Sequence, residues 1–151
     1  MEARLRLAVY EHFRKVGAPP ELSALADELG AAPESVPKAA LRLHDLHALV
    51  LAPDRSDPSR GGIAVRMAHP FSGVETAYTV ATPVGDYPVN CAWDALALPP
   101  LLGVDGVCTT SCPQSGEPLT LEVKDSELID HGGVVHLAVP ARDFWRDVGF
   151  T

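Results

Sequence analysis

The stretch VNCAWDALALPPLLG, residues 89–103, sets Cys91 three positions before Asp94 in an apolar run that ends in two prolines. Read as a helix of about 91–98 halted by those prolines, the spacing puts both side chains on one face within contact range. With Asn90 as N-cap, Cys91 falls in the first turn, where unpaired N–H groups and the helix dipole favour an anion. A thiol so placed is expected to titrate below its free value of about 8.5, as a nucleophile or soft-metal ligand. A carboxyl group sharing that pocket with a thiolate is pushed the other way, which suits a proton donor. The plainer alternative is a small buried cysteine beside an aspartate that solvates the helix end, and a lone Cys-x-x-Asp favours it.

Working outward toward the N-terminus, the chain reads as helical. ARLRLAVYEHFRKVG places Leu5, Leu7 or Ala8, Val9 and Phe13 near helical spacing, with Gly17 as the stop. PPELSALADELG puts Pro20 near a first turn and Leu22, Leu25, Ala26 and Leu29 on a stripe closed by Gly30. PESVPKAALRLHDLHALVL sets Val36, Ala40, Leu43, Leu46 and Val50 on one side, and Pro37 fits only in the first turn. Three helices followed by APDRSDPSRGG and GIAVRMA make the pattern of a winged helix-turn-helix with a polar tip and a return strand.

Toward the C-terminus the character changes. GIAVRMAHPF, ETAYTVAT, GVCTTSC, PLTLEVKD and VVHLAVPA are short, β-branched or alternating runs separated by turn residues, and ARDFWRDVG is helical. The expected class is α+β: a three-helix winged-helix-like module over 1–60, then a mixed β-sheet domain with short helices over 61–151.

Composition narrows the partners. Residues 1–60 carry eight Lys/Arg and nine Asp/Glu, the rest four and eleven, so most of the net charge of −8 lies in the second part. Only Lys38 and Arg42 are cationic on the third helix, which favours a packing or substrate-covering module over a DNA reader. No apolar run is long enough to span a bilayer and the N-terminus has no signal-peptide pattern. Three cysteines, an odd number, then point to free thiols in a reducing cytoplasm.

Other chemistry-bearing residues are sparser. Cys108 and Cys112 make a Cys-x-x-x-Cys, but a zinc site would need His131 and His136 across GGVV; one buried and one partly exposed thiol fits better. His69, before Pro70, can act as an acid or base, though such a residue is more often structural. Trp93, Phe144, Trp145 and Phe150 read as core or pocket lining.

Taken together, RMAHPFSGVETAYTV, NCAWDALALPPLLG, SCPQSGEPLTLEV and VVHLAVPARDFWRDVGF resemble the organomercurial (alkylmercury) lyase family over roughly residues 60–151, and that family also carries a winged-helix-like N-terminal module. The resemblance implies protonolysis of a carbon–mercury bond: one cysteine attacks the mercury of R–Hg⁺, a second adds, and an aspartate helps deliver a proton to the carbon. Cys91 matches the first cysteine and Asp94 the aspartate, both toward mercury as substrate or product. Cys112 matches a cysteine that is structural in the family, and Cys108 matches none. The family's second catalytic cysteine follows the segment at which this chain reaches Thr151. A shortened chain, a completing partner chain and a relative that has left mercury chemistry are all consistent with that. Cys108 or Cys112 can replace the missing thiol only if its sulfur lies within about 4–5 Å of that of Cys91.

The expectation is therefore an impaired alkylmercury lyase-like protein that needs no resident cofactor, uses an external thiol such as glutathione and leaves Hg(II) as product. The alternative is a winged-helix regulator or metal or small-molecule sensor using the same pocket.

Overall fold

The computed structural model describes residues 1–54, 62–129 and 132–148. Three helices open the chain: α1 (Glu2–Val16), α2 (Leu22–Glu28) and α3 (Ser35–Asp45). The apolar stripe of α1 resolves to Leu5, Ala8, Val9 and Phe13, all buried, while Leu7 faces out. Gly17 ends the helix at φ +72°, and its N–H donates to the Phe13 carbonyl, a left-handed cap that only glycine adopts without strain. In α2 the helix starts after Pro20 rather than around it, with Glu21 as N-cap.

The third helix is shorter than its periodicity suggested. It ends at Asp45, and His47 at φ +59° turns the chain away. Leu46 is therefore 72% exposed, Leu49 fills the core in its place, and Val50 opens a strand. Once the helix stops, a 3.6-residue period no longer predicts which side chain points inward. Pro37 does sit in the first turn, where its missing N–H costs nothing.

Strands β1 (Val50–Pro53) and β2 (Ile63–Ala68) pair antiparallel and are closed by the Asp54 N–H on the Gly62 carbonyl, at 2.8 Å. Of the proposed wing tip, 52–62, residues 55–61 lie outside the described residues. β2 also pairs with β3 (Phe71–Ser72), so the first sheet is three-stranded, in the order β1-β2-β3. A second, fully antiparallel sheet has the order β5-β4-β6-β7-β8, from β4 (Thr79–Thr82), β5 (Gly85–Pro88), β6 (Gly106–Ser111), β7 (Pro118–Lys124) and β8 (Glu127–Ile129). The expected α+β class is what the chain adopts.

Helix α4 (Ala92–Leu102) packs on β4, β6 and β7, and it corrects the expectation that two prolines stop it at about 98. Pro99 and Pro100 lie in its last turns. Both lack an N–H but keep their carbonyls, which accept from Val104 and Gly103 to cap the helix. Pro99 is fully buried against Gly106, where any Cβ would collide with the proline ring. Dense packing thus offsets the cost, about 3 kcal/mol, of proline inside a helix. The stop is Gly103, at φ +69°.

One core runs from α1 through the first sheet to α4 and the inner face of the second sheet. Its hinge is Phe71, stacked on Phe13 at 5.3 Å and edge-on to Tyr10 and Tyr87. An isolated bridge between Phe71 and Val89 links the two sheets just before α4. Tyr87 adds a second tie, its hydroxyl donating to the Arg14 carbonyl at 2.8 Å.

Two C-terminal expectations change. VVHLAVPA forms no strand over its described residues: beyond β8 nothing pairs with it, and Val134 is 92% exposed. ARDFWRDVG forms a 3₁₀ turn (Ala141–Arg146) instead of an α-helix, and lays Trp145 parallel to the His47 ring at 4.0 Å. No helix among the described residues is long and apolar enough to cross a membrane.

Candidate active site

The Phe71–Val89 bridge brings two loops side by side: His69–Pro70 between β2 and β3, and Asn90–Cys91 between β5 and α4. Cys91 is itself the N-cap of α4, with extended backbone angles of φ −157° and ψ 179°; Asn90 lies one residue outside the helix. Cys91 and Asp94 therefore stand at N-cap and third position, the spacing at which a side chain reaches back to the cap in a capping box. Asp94 is buried, at 7% exposure, and its carboxyl meets the Cys91 thiol. The two residues singled out in the sequence are brought together.

The electrostatics correct the expected direction. Burial pushes the Cys91 thiol up, and the neighbouring Asp94 charge pushes it further the same way. The backbone N–H groups of Asp94 and Trp93 favour the thiolate, as a helix N-terminus should, yet they are outweighed. Sequence spacing revealed the helix end but not how much water the fold removes from it.

Asn90 is not a cap but a clamp. Its Nδ2 donates to the Pro70 carbonyl at 3.1 Å and the Phe71 carbonyl at 3.2 Å, stitching the two loops together. The Tyr10 hydroxyl reaches from α1 and donates to the His69 carbonyl at 2.9 Å. His69 then sets Nδ1 3.5 Å from Asp94 Oδ2. Tyr10 carried no signal in the sequence and Asn90 read only as a cap, because each acts on backbone carbonyls that only the folded chain brings near.

The remaining thiols separate. Cys108 lies on the inner face of β6, paired with Val80 and Leu121 and buried, which holds its thiol up. Cys112 follows β6 at the turn into β7, where the Ser115 hydroxyl and the Ser115 and Gln114 N–H groups lower its thiol. That is the expected pair of one buried and one partly exposed thiol. Tyr78 has all three sulfurs within electrostatic range; burial first, then Cys91, Cys108 and Cys112, raise its hydroxyl. No zinc cluster gathers on Cys108 and Cys112 among the described residues, and His131 lies outside them. Trp93, expected in the core or a pocket wall, is 62% exposed next to Cys91 because it points off the free side of α4. Phe150 and Thr151 also lie outside the described residues.

A half-buried thiol in contact with a buried carboxyl, at a helix N-terminus between a helical module and an antiparallel sheet, defines a thiol-and-acid site on an α+β fold. Residues 71–151 match the family model of alkylmercury lyase (MerB), more than half of the chain, and the protein belongs to that family. The fold is similar to a crystal structure of the mercury-bound form of MerB2, with TM-score 0.64 and 18% identity over 85% of this chain. The chain spans 58% of the length of that structure. No curated protein sequence matches it.

Proposed function

We propose that the protein cleaves carbon–mercury bonds by protonolysis, with Cys91 binding the mercury of R–Hg⁺ and Asp94 delivering the proton. The observation that carries this is the Cys91–Asp94 contact at the start of α4 in a chain of the alkylmercury lyase family. The Cys91 proton passes to the Asp94 carboxylate as sulfur binds mercury, and an external thiolate such as glutathione adds to the same metal. The carbon–mercury electron pair then goes to carbon, which takes a proton from Asp94 and departs as R–H. Mercury stays Hg(II), held by two sulfurs, and no electron is gained or lost.

Two features of the site suit that sequence. A thiol held up by burial stays protonated until a soft cation replaces the proton, so the pocket is selective for metals that bind sulfur strongly. A carboxyl group removed from bulk water exchanges its proton only along the route the site provides. A second sulfur supplied from outside is consistent with Cys108 being buried in the sheet. The cost is weaker product capture than with two resident thiolates.

The helical module, 1–60 in this proposal, serves as a wall and anchor for the site through Tyr10 and Phe13. DNA binding has little to draw on. Of the two cations on α3, Arg42 is paired with Glu2 at 2.6 Å.

The test is headspace methane from methylmercury incubated with the protein and excess glutathione. Methane formation that falls at least about a hundredfold in both Cys91→Ser and Asp94→Ala is expected, the scale of losing a nucleophile or a positioned acid. Methane production unchanged in Cys91→Ser would remove the assignment.

A further inference from the structure

Resting on that function, a second question is what holds the Asp94 carboxyl in place and in which direction. Asp94 Oδ2 is buried and has no hydrogen-bond partner within bonding distance. A carboxylate oxygen left in that state is costly, so a nearby donor is strongly drawn to it. The nearest ring nitrogen is His69 Nδ1 at 3.5 Å, on a side chain 47% exposed and therefore free to turn by the few tenths of an ångström that a hydrogen bond requires.

Whether Nδ1 can donate depends on its other neighbour, Asn90 Nδ2, at 3.4 Å. An amide nitrogen has two hydrogens. Both are committed, to the Pro70 and Phe71 carbonyls. Turning the amide over would set Asn90 Oδ1 against those two carbonyl oxygens, losing two hydrogen bonds and adding repulsion. It would also give Nδ1 an acceptor rather than a donor. In either orientation, then, Asn90 offers His69 no free hydrogen. Nδ1 has nothing to accept, and one good acceptor within reach.

We propose that His69 is a positioning residue for Asp94: its neutral ring carries the proton on Nδ1 and donates it to Asp94 Oδ2, fixing the carboxyl group against the Cys91 thiol. Tyr10 holds the His69 backbone and Asn90 holds the loop, so the orientation of the acid is set jointly by α1, the β2–β3 turn and the residue before α4. The Nε2 edge is left to solvent or to the organic group of a substrate. The same arrangement explains why a histidine starting a loop is more than a surface residue here.

The test has two arms on the full chain. Histidine ¹⁵N spectra are recorded at about pH 8.5, above the free-histidine value of about 6.5, with His69 assigned by its absence in His69→Asn. A Nδ1–H tautomer that reverts toward the free-imidazole mixture in Asp94→Ala is expected. A Nε2–H tautomer in the wild type, or a tautomer indifferent to Asp94→Ala, overturns the proposal whether or not the protein turns over methylmercury. In the kinetic arm, His69→Ala is expected to lower kcat about tenfold with KM within about twofold, the cost of a misplaced acid. His69→Asn, whose amide nitrogen can take the place of Nδ1, is expected to recover most of that loss. Equal kcat in wild type and His69→Ala overturns the positioning role. Absence of methane from the wild type instead counts against the proposed lyase function, and the tautomer still decides the role of His69.

Discussion

The first three helices with their sheet and the second sheet with its C-terminal extension are built on different terms. In the helical part Leu5, Val9, Phe13, Val36, Ala40 and Leu49 are all fully buried, so each helix has an apolar stripe closed by its neighbours. In the second sheet α4 covers one face, over residues such as Val80, Cys108 and Val123, while Tyr87 is buried against the first part. β8 is exposed along its whole length, and 132–140 forms neither strand nor helix. The candidate site lies where these two regions meet. Its thiol and acid come from the start of α4, its histidine from the β2–β3 turn, and its anchors from α1. A site at such a seam is rigid where the well-packed side holds it and open toward the less covered side.

The largest test of that contrast is Phe13→Ala. Phe13 is fully buried and stacked on Phe71, so its loss should cost about 3–5 kcal/mol in urea unfolding and loosen the site as well. A cost below about 1 kcal/mol would mean that the helical part is not the firmer side.

A middle-sized effect separates the two accessible thiols. Cys91 is held up by burial and then by Asp94, whereas Cys112 is held down by Ser115 and nearby N–H groups. Only the thiolate is alkylated. At pH 7 iodoacetamide should therefore label Cys112 first, and the rate at Cys91 should keep climbing as pH rises beyond the ordinary thiol range. Asp94→Asn removes the raising charge and leaves the effect of burial, so Cys91 should react several-fold faster at pH 8. Mass spectrometry of the labelled peptides reads both results, and faster labelling of Cys91 at pH 7 would reverse the assignment.

The smallest effect should come from Leu128→Ala on β8. More than half of that side chain is in water, so the expected cost is about 0.5 kcal/mol or less by the same unfolding measurement. A cost near that of Phe13→Ala would show that β8 is covered in solution.

How much was legible beforehand follows the range of the interactions involved. The helices of the first part could be read because an apolar stripe is a local pattern, as Leu5, Val9 and Phe13 show. The end of α3 could not, because His47 takes a left-handed turn that no local preference of its neighbours demands. Continuation of α4 through Pro99 was hidden for a similar reason: the stabilising contact is with Gly106, on another element.

The site divides in the same way. Cys91 and Asp94 were visible because three residues along a helix is a fixed short distance, whatever surrounds it. The amino-acid sequence alone thus determined the pair of chemical groups, the helices of the first part and the alternation of short strands in the second. Only the tertiary structure decided that the Cys91 thiol titrates high rather than low, because desolvation depends on everything packed around it. It alone also decided that Asn90 clamps two carbonyls and that His69 faces Asp94. Those contacts join residues some twenty positions apart, and nothing in local spacing records which chain segments the core will draw together.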